Sequence, residues 1–487
     1  MKSIYDKIRE NLLPDGTLPE DFSLQDNDLP FGFADGAVDG MALYHGFRSE
    51  ADSEALLNVI DAACEGEFKN AQEMLEEAFQ APFARVLSAA DEIQNYAAEK
   101  TEDTRKRALY SFASTLITQS EKIECVKFGL LLLEVLNFQV ENTRNDVRML
   151  SAAEELTLFA LYVMQGWENA NEEYFRTAKK TRGWGRIHSV RYLRAENEEI
   201  RSWLLTEGYK NAILNAYTVW ECTQKLDLPE LLRGSLTDAE YNGLSEILQE
   251  LLVQGGPMPG MDEISRAEDL LLQYIKTAGT RKVTETVLET LIAIQDHTFT
   301  SDYIHQKDIL VGCERILNSE QAEELVKDLV REHRGYALAS YLNMDIGEQI
   351  LEDMKTDFAD HWEDIDYVWE DREIMEQVTE LYRQEIDLTE IATGPEEQSR
   401  FTFDSHLLYY ITRRLHRYPG MGEDLILASL KSYDIRNRIT ALDVIDAWKL
   451  RGYAHSQEIE DALSELAYTE PEEGIRERLT KKESMMN

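Results

Sequence analysis

From residue 49 onward this sequence places apolar residues at helical intervals, and that spacing limits its possible folds more than any other feature. Leu109, Phe112 and Leu116 step by three and four; Val283, Val287, Leu291 and Ile294 by four, four and three. Ile435, Ile439, Leu442, Ile445 and Trp448 continue the same habit. Steps of three and four line one face of a helix. Sustained alternation of period two is almost absent, so strands should be rare. With 10 prolines and 25 glycines in 487 residues, both below common usage, little interrupts the helices. The expected class is all-α.

Local starts sharpen this into stacked antiparallel helix pairs resembling a HEAT or armadillo α-solenoid. Asp434-Ile435-Arg436-Asn437-Arg438 places an acidic cap and basic residues before an apolar stripe, and Asp103-Thr104-Arg105-Lys106-Arg107 does the same. Asp146-Val147-Arg148 and Thr280-Arg281-Lys282 are weaker copies. An Asp or Thr at such a position accepts hydrogen bonds from the free N–H groups of the first turn. The spacing from Asp103 to Asp146 fits a two-helix repeat of about 40–47 residues. A plain antiparallel bundle is the competing architecture. Residues 1–48 gather Pro14, Pro19, Pro30 and several glycines, which predicts a short helix followed by an irregular cap. Gly255-Gly256-Pro257-Met258-Pro259-Gly260 is the best linker. The expected organisation is therefore a cap at 1–48 and helical blocks at 49–254 and 261–487.

Charge and cysteine usage exclude several functions. With 93 acidic and 50 basic side chains the formal charge is −43. That disfavours a nucleic-acid backbone, whose binding rests on Lys and Arg, and an anionic membrane surface. The most apolar runs, 128–136 and 156–164, are about nine residues, against the about 20 needed to span a bilayer. The N-terminus lacks the apolar core of a signal peptide. Cys64, Cys125, Cys222 and Cys313 are far apart and form no CxxC pair. Together these predict a cytoplasmic protein.

Familiar catalytic signatures are missing too. Gly183-Trp184-Gly185-Arg186-Ile187-His188 lacks the third glycine and the preceding strand of a dinucleotide fold, and reads as a loop between helices. There is no P-loop and no GxSxG elbow. His361-Trp362-Glu363 has a spacing used by mononuclear iron enzymes, but on a helix its two ligands diverge, so no metal site is expected.

Three clusters remain as candidate sites. Asp35-Gly36-Ala37-Val38-Asp39-Gly40, with His45, could orient a cation or a hydroxyl; the plainer reading makes Asp35 or Asp39 a helix cap. Trp184, Arg186, His188 and Trp203 lie in or near the one basic region, 176–194, which suits an anionic ligand or an acidic segment; the plainer reading is a junction between helices. Residues 351–400 hold 17 acidic and four basic side chains around Trp362 and Trp369. They suit docking of a basic protein segment or a paired-carboxylate glycosidase site, with a solvated helix face as the plainer reading.

The segments 183–188, 198–205 (Glu-Glu-Ile-Arg-Ser-Trp-Leu-Leu) and 208–211 (Gly-Tyr-Lys-Asn), with Phe33 to Gly40, resemble a bacterial family of helical-repeat proteins of the limonene hydroxylase type. The resemblance implies a small apolar substrate, oxidation of limonene to perillyl alcohol or carveol, and NAD-dependent oxidation of the alcohol. It carries over no catalytic residue. Monoterpene hydroxylation needs an oxygen-activating cofactor, and the residues show no site for one. The alternative they favour is a non-enzymatic binding scaffold.

Overall fold

The computed structural model describes residues 2–24, 33–47, 52–80, 84–100, 102–368, 370–396 and 400–486. These residues form helices and connecting turns, with no strand among them. The chain divides into two compact units. Unit 1 comprises Met1–Lys282 with Glu289–Ile316, and unit 2 comprises Val283–Leu288 with Leu317–Asn487. The Gly255–Gly260 segment falls inside unit 1.

Unit 1 is organised around a row of helices: Ile123–Leu136, Glu154–Gln165, Trp184–Tyr192, Asn215–Lys225 and Asp238–Leu252, each packed on the next. The first four begin at Ile123, Glu154, Trp184 and Asn215, so their starts are almost evenly spaced along the chain. The two most apolar runs of the sequence lie in the first two helices. There Val126 to Leu132 and Leu156 to Leu161 are buried almost continuously, because neighbours cover those helices on every side. Between them run Glu141–Leu150, Ala170–Lys180 and Glu198–Trp203, the last continuing as a π-turn at Leu204–Gly208. These connecting helices are tied together by the Arg148–Glu173 pair at 3.0 Å and by Phe175 against Trp203 at 5.3 Å.

The N-terminal helix Ile4–Asn11 buries Ile4 and Ile8, and the Tyr5 hydroxyl donates to Asp146 at 2.7 Å. Asp146 therefore does not start a helix. It sits within Glu141–Leu150, where its carboxylate serves the N-terminal helix. Thr280 is likewise no cap, since the following helix begins at Glu285.

In unit 2 the Asp434 start behaves as expected. Asp434 caps Ile435–Leu450 by accepting from the Arg436 N–H at 2.9 Å. The apolar stripe departs from expectation at Ile439, which is exposed. Arg438 takes the buried position instead. Its guanidinium forms a two-point pair with Glu470 at 2.7 and 2.8 Å and donates to the Ser432 and Tyr433 carbonyls. Donors matched in this way let a charge replace an aliphatic side chain in the core.

Candidate functional site

The helix Ala37–His45 lies across the row of unit 1 and touches three of its members. Its start is made by Gly36, whose φ of +76° favours glycine and which provides no side-chain cap. Neither Asp35 nor Asp39 caps it. A Cβ on Gly36 would fall 2.9 Å from the Glu154 carbonyl, and one on Gly40 would sit inside the Trp184 ring. The glycines of 35–40 thus allow a helix backbone to rest on an indole. Beyond that contact, Tyr44 meets Trp184 at 5.9 Å and Tyr217 at 5.2 Å, and the His45 Nε2 is 2.6 Å from the Tyr217 hydroxyl. Ala37, Trp184, Ile187 and Tyr217 form the apolar floor, flanked by Met41 and Ile213.

A buried charge cluster holds the same helix from the other side. Lys127 donates to Asp39 at 2.6 Å and to Glu124 at 2.8 Å, with both Lys127 and Asp39 almost wholly enclosed. Burial alone would push the Lys127 ammonium down. The charges of Asp39 and Glu124 outweigh it, and the net shift is upward. Among the described residues the second Asp39 oxygen and the His188 Nδ1 are buried without a hydrogen-bond partner. Burial, then the positive charges of Arg191 and Lys127, push the His188 imidazole down to about 3, so it is neutral at pH 7.

Beside this cluster opens a cavity of about 480 Å³ between the N-terminal segment and the row. Glu154 and Glu155 reach it with different roles. The Glu154 carboxylate accepts from the N–H groups of Arg182 at 2.7 Å, Gly183 at 3.1 Å and Gly185 at 2.5 Å. It therefore occupies the amino end of the helix Trp184–Tyr192. A Cβ on Gly185 would lie 2.8 Å from this carboxylate and 2.5 Å from Thr157, which explains the second glycine. Gly183-Trp184-Gly185 is accordingly a helix start capped from a distance, not a free loop. Glu155 is buried and accepts from the Leu24 N–H at 3.1 Å. Burial first, and then the charge of Asp35, push its carboxyl up to about 7. Asp35 accepts from Ser23 at 2.6 Å.

The seven residues singled out in the sequence separate into three places. Asp39, His45, Trp184 and His188 meet at the docked helix, although the first two lie before Gly46 and the last two after Gly183. Asp35 lines the cavity. Arg186 and Trp203 belong to the seam of connecting helices. Arg186 donates to the carbonyls of Ala178, Thr181 and Lys210, and Trp203 packs on Phe175 and over Gly208. Lys127 and Glu155 escaped the sequence reading. Lys127 had a signal, a lone charge inside the apolar run Cys125 to Leu133. Glu155 had none, because two glutamates at a helix start are ordinary.

In unit 2, Trp362 is half-buried against Phe403, His406 and Tyr410, and His361 pairs with Asp364 at 2.8 Å. Trp369 lies outside the described residues. Among the described residues no group of three His, Cys, Asp or Glu side chains is placed to hold a metal ion. A dinucleotide does not fit Gly183-Trp184-Gly185 either. The N–H groups that would take its pyrophosphate already take Glu154, and a second anion there would meet that carboxylate. No helix among the described residues is long and apolar enough to cross a membrane. No protein-family model, no curated protein and no solved structure matches this chain.

Proposed function

We propose that this chain acts by binding and not by catalysis, as a HEAT- or armadillo-like stack of helix pairs that engages a basic protein segment in the cytoplasm. The observation that carries the reading is the row of unit 1. Its first four helices start at a nearly constant interval, and the helices of the row alternate with connecting helices and pack on sequence neighbours. Such arrays bind through extended surfaces built from successive repeats. The charge of −43 selects a cationic partner. Part of the acid at 351–400 is engaged internally: Asp353 with His333 and Tyr336, Asp366 with Tyr410, Asp371 and Asp387 as helix caps. Exposed Glu352, Asp360, Glu363 and Glu390 remain for a partner.

The test is fluorescence anisotropy of the purified chain with labelled Lys- and Arg-rich peptides. Saturable binding that weakens strongly with salt is expected; no binding at any salt removes the scaffold reading. Monoterpene oxidation, implied by the family resemblance, is the second proposal. The rings of Tyr44, Trp184 and Tyr217 have the chemistry to hold a small apolar molecule where the helix Ala37–His45 lifts from them. Formation of an alcohol by purified protein with limonene, NAD(P)H and O₂ would establish it against the first; no product would remove it.

A further inference from the structure

We propose that the cavity of unit 1 binds a small zwitterion with an apolar side chain, an amino acid or a dipeptide, its ammonium at Glu155 and Asp35 and its carboxylate at Lys180. At about 480 Å³ the cavity has the size of small-molecule sites. Its wall carries both signs of charge. Glu155 is buried and, among the described residues, forms no ion pair; backbone N–H groups, its own and that of Leu24, meet its carboxylate. Asp35 adds a second negative charge with only Ser23 as a described donor. Lys180 lines the same cavity, is partly buried, and makes neither an ion pair nor a hydrogen bond among the described residues. Arg182 is committed to two other residues of the same wall, Glu20 at 2.9 Å and the Leu18 carbonyl. The cavity thus presents one available cation and two available carboxylates that do not pair with one another. Phe22, Ala153 and Ile213 supply apolar wall. A buried carboxylate without an ionic partner favours a ligand that brings the complementary charge with it, and half-buried Asp35 and Lys180, the latter attracted at a distance by Asp15 and Glu173, flank it.

Glu155 must be ionised to hold an ammonium group. The charged groups facing it or its cavity are Asp35, Glu154, Glu20, Lys127, Lys180 and Arg182. Because burial and Asp35 push its carboxyl up to about 7, a zwitterion binds with release of a proton below that pH. The proposal is independent of any protein partner.

The test is isothermal titration calorimetry of the full chain with L-leucine and L-leucyl-L-leucine. Isoamylamine and 4-methylpentanoate, the two halves of leucine's charge pattern, are the comparison. Saturable binding of a zwitterion is expected, with each half at least about tenfold weaker and affinity falling by about fivefold from pH 7 to pH 6. Glu155→Gln and Lys180→Met should each lose at least about tenfold in affinity while keeping the wild-type circular dichroism. The proposal is overturned if no probe binds, if isoamylamine binds as tightly as leucine, or if both variants bind as the wild type does.

Discussion

Glu155→Gln separates the charge of this carboxyl from its shape, and the expected effect can be worked out. An exposed glutamate titrates near 4.5, whereas Glu155 is pushed up to about 7, first by burial and then by Asp35. The folded state therefore binds the proton more tightly than the unfolded state. Its contribution to stability is fully present below about 4.5, fades as pH rises, and is gone above about 7. A shift of about 2.5 units corresponds to about 3 kcal/mol over the whole range, of which about 2.5 kcal/mol falls between pH 5 and pH 8. Glutamine keeps an oxygen for the Leu24 N–H and never ionises. The variant should thus gain about 2.5 kcal/mol on the wild type between pH 5 and pH 8. Urea unfolding followed by tryptophan fluorescence at each pH measures the difference, and the titration of the other carboxylates cancels in it. Asp35→Asn should lower the Glu155 midpoint and shrink the effect. A difference that stays flat within about 0.5 kcal/mol from pH 5 to pH 8 would refute the reasoning.

Lys127→Met should cost about 3–5 kcal/mol, because it leaves Asp39 buried without its cation, while Glu124 keeps Arg85 at 3.9 Å; Lys127→Met with Asp39→Asn should recover part of that loss in the same unfolding assay. Gly40→Ala drives a methyl into the Trp184 ring and should cost about 1–3 kcal/mol with a red shift of Trp184 emission, whereas Gly256→Ala, which meets nothing within 4 Å, should stay within about 0.5 kcal/mol. The His188 ring signals should not titrate between pH 8 and pH 5 in NMR, since burial holds the imidazole neutral down to about 3.

The class of fold was legible because helix formation leaves a local record. Leu109, Phe112 and Leu116 are buried on one face as their spacing predicted, and Asp434 caps the helix it precedes. What failed was the inference from caps to a period. Asp146 looks like a helix start, but its partner is Tyr5, far back at the N-terminus. The even spacing of the helix starts from Ile123 to Asn215 shows only in which helices pack together. Ile439 and Arg438 exchange places for a similar reason. An apolar pattern cannot register that Glu470, well beyond the end of that helix, satisfies a buried guanidinium.

The site was half legible. Asp35-Gly36-Ala37-Val38-Asp39-Gly40 and Trp184-Gly185-Arg186-Ile187-His188 both stood out, yet nothing local says that the glycines of one exist to admit the indole of the other. Within the first segment, two aspartates one helical turn apart in sequence meet opposite fates. Asp39 finds Lys127 and becomes part of a neutralised cluster that fixes the helix. Asp35 finds Glu155, a like charge, and the pair raises the cost of ionising a buried carboxyl. One contact therefore contributes to docking of 33–47 wherever Lys127 and Asp39 are both charged, and burial pushes the Asp39 carboxyl up, while the other opposes docking once Glu155 ionises. A cation that binds between Asp35 and Glu155 removes the opposition and must strengthen docking by the same free energy with which docking strengthens its binding. Protease cleavage within 33–47 should then slow as leucine saturates the cavity at pH 8, and slow less in Glu155→Gln, where there is no charge to relieve.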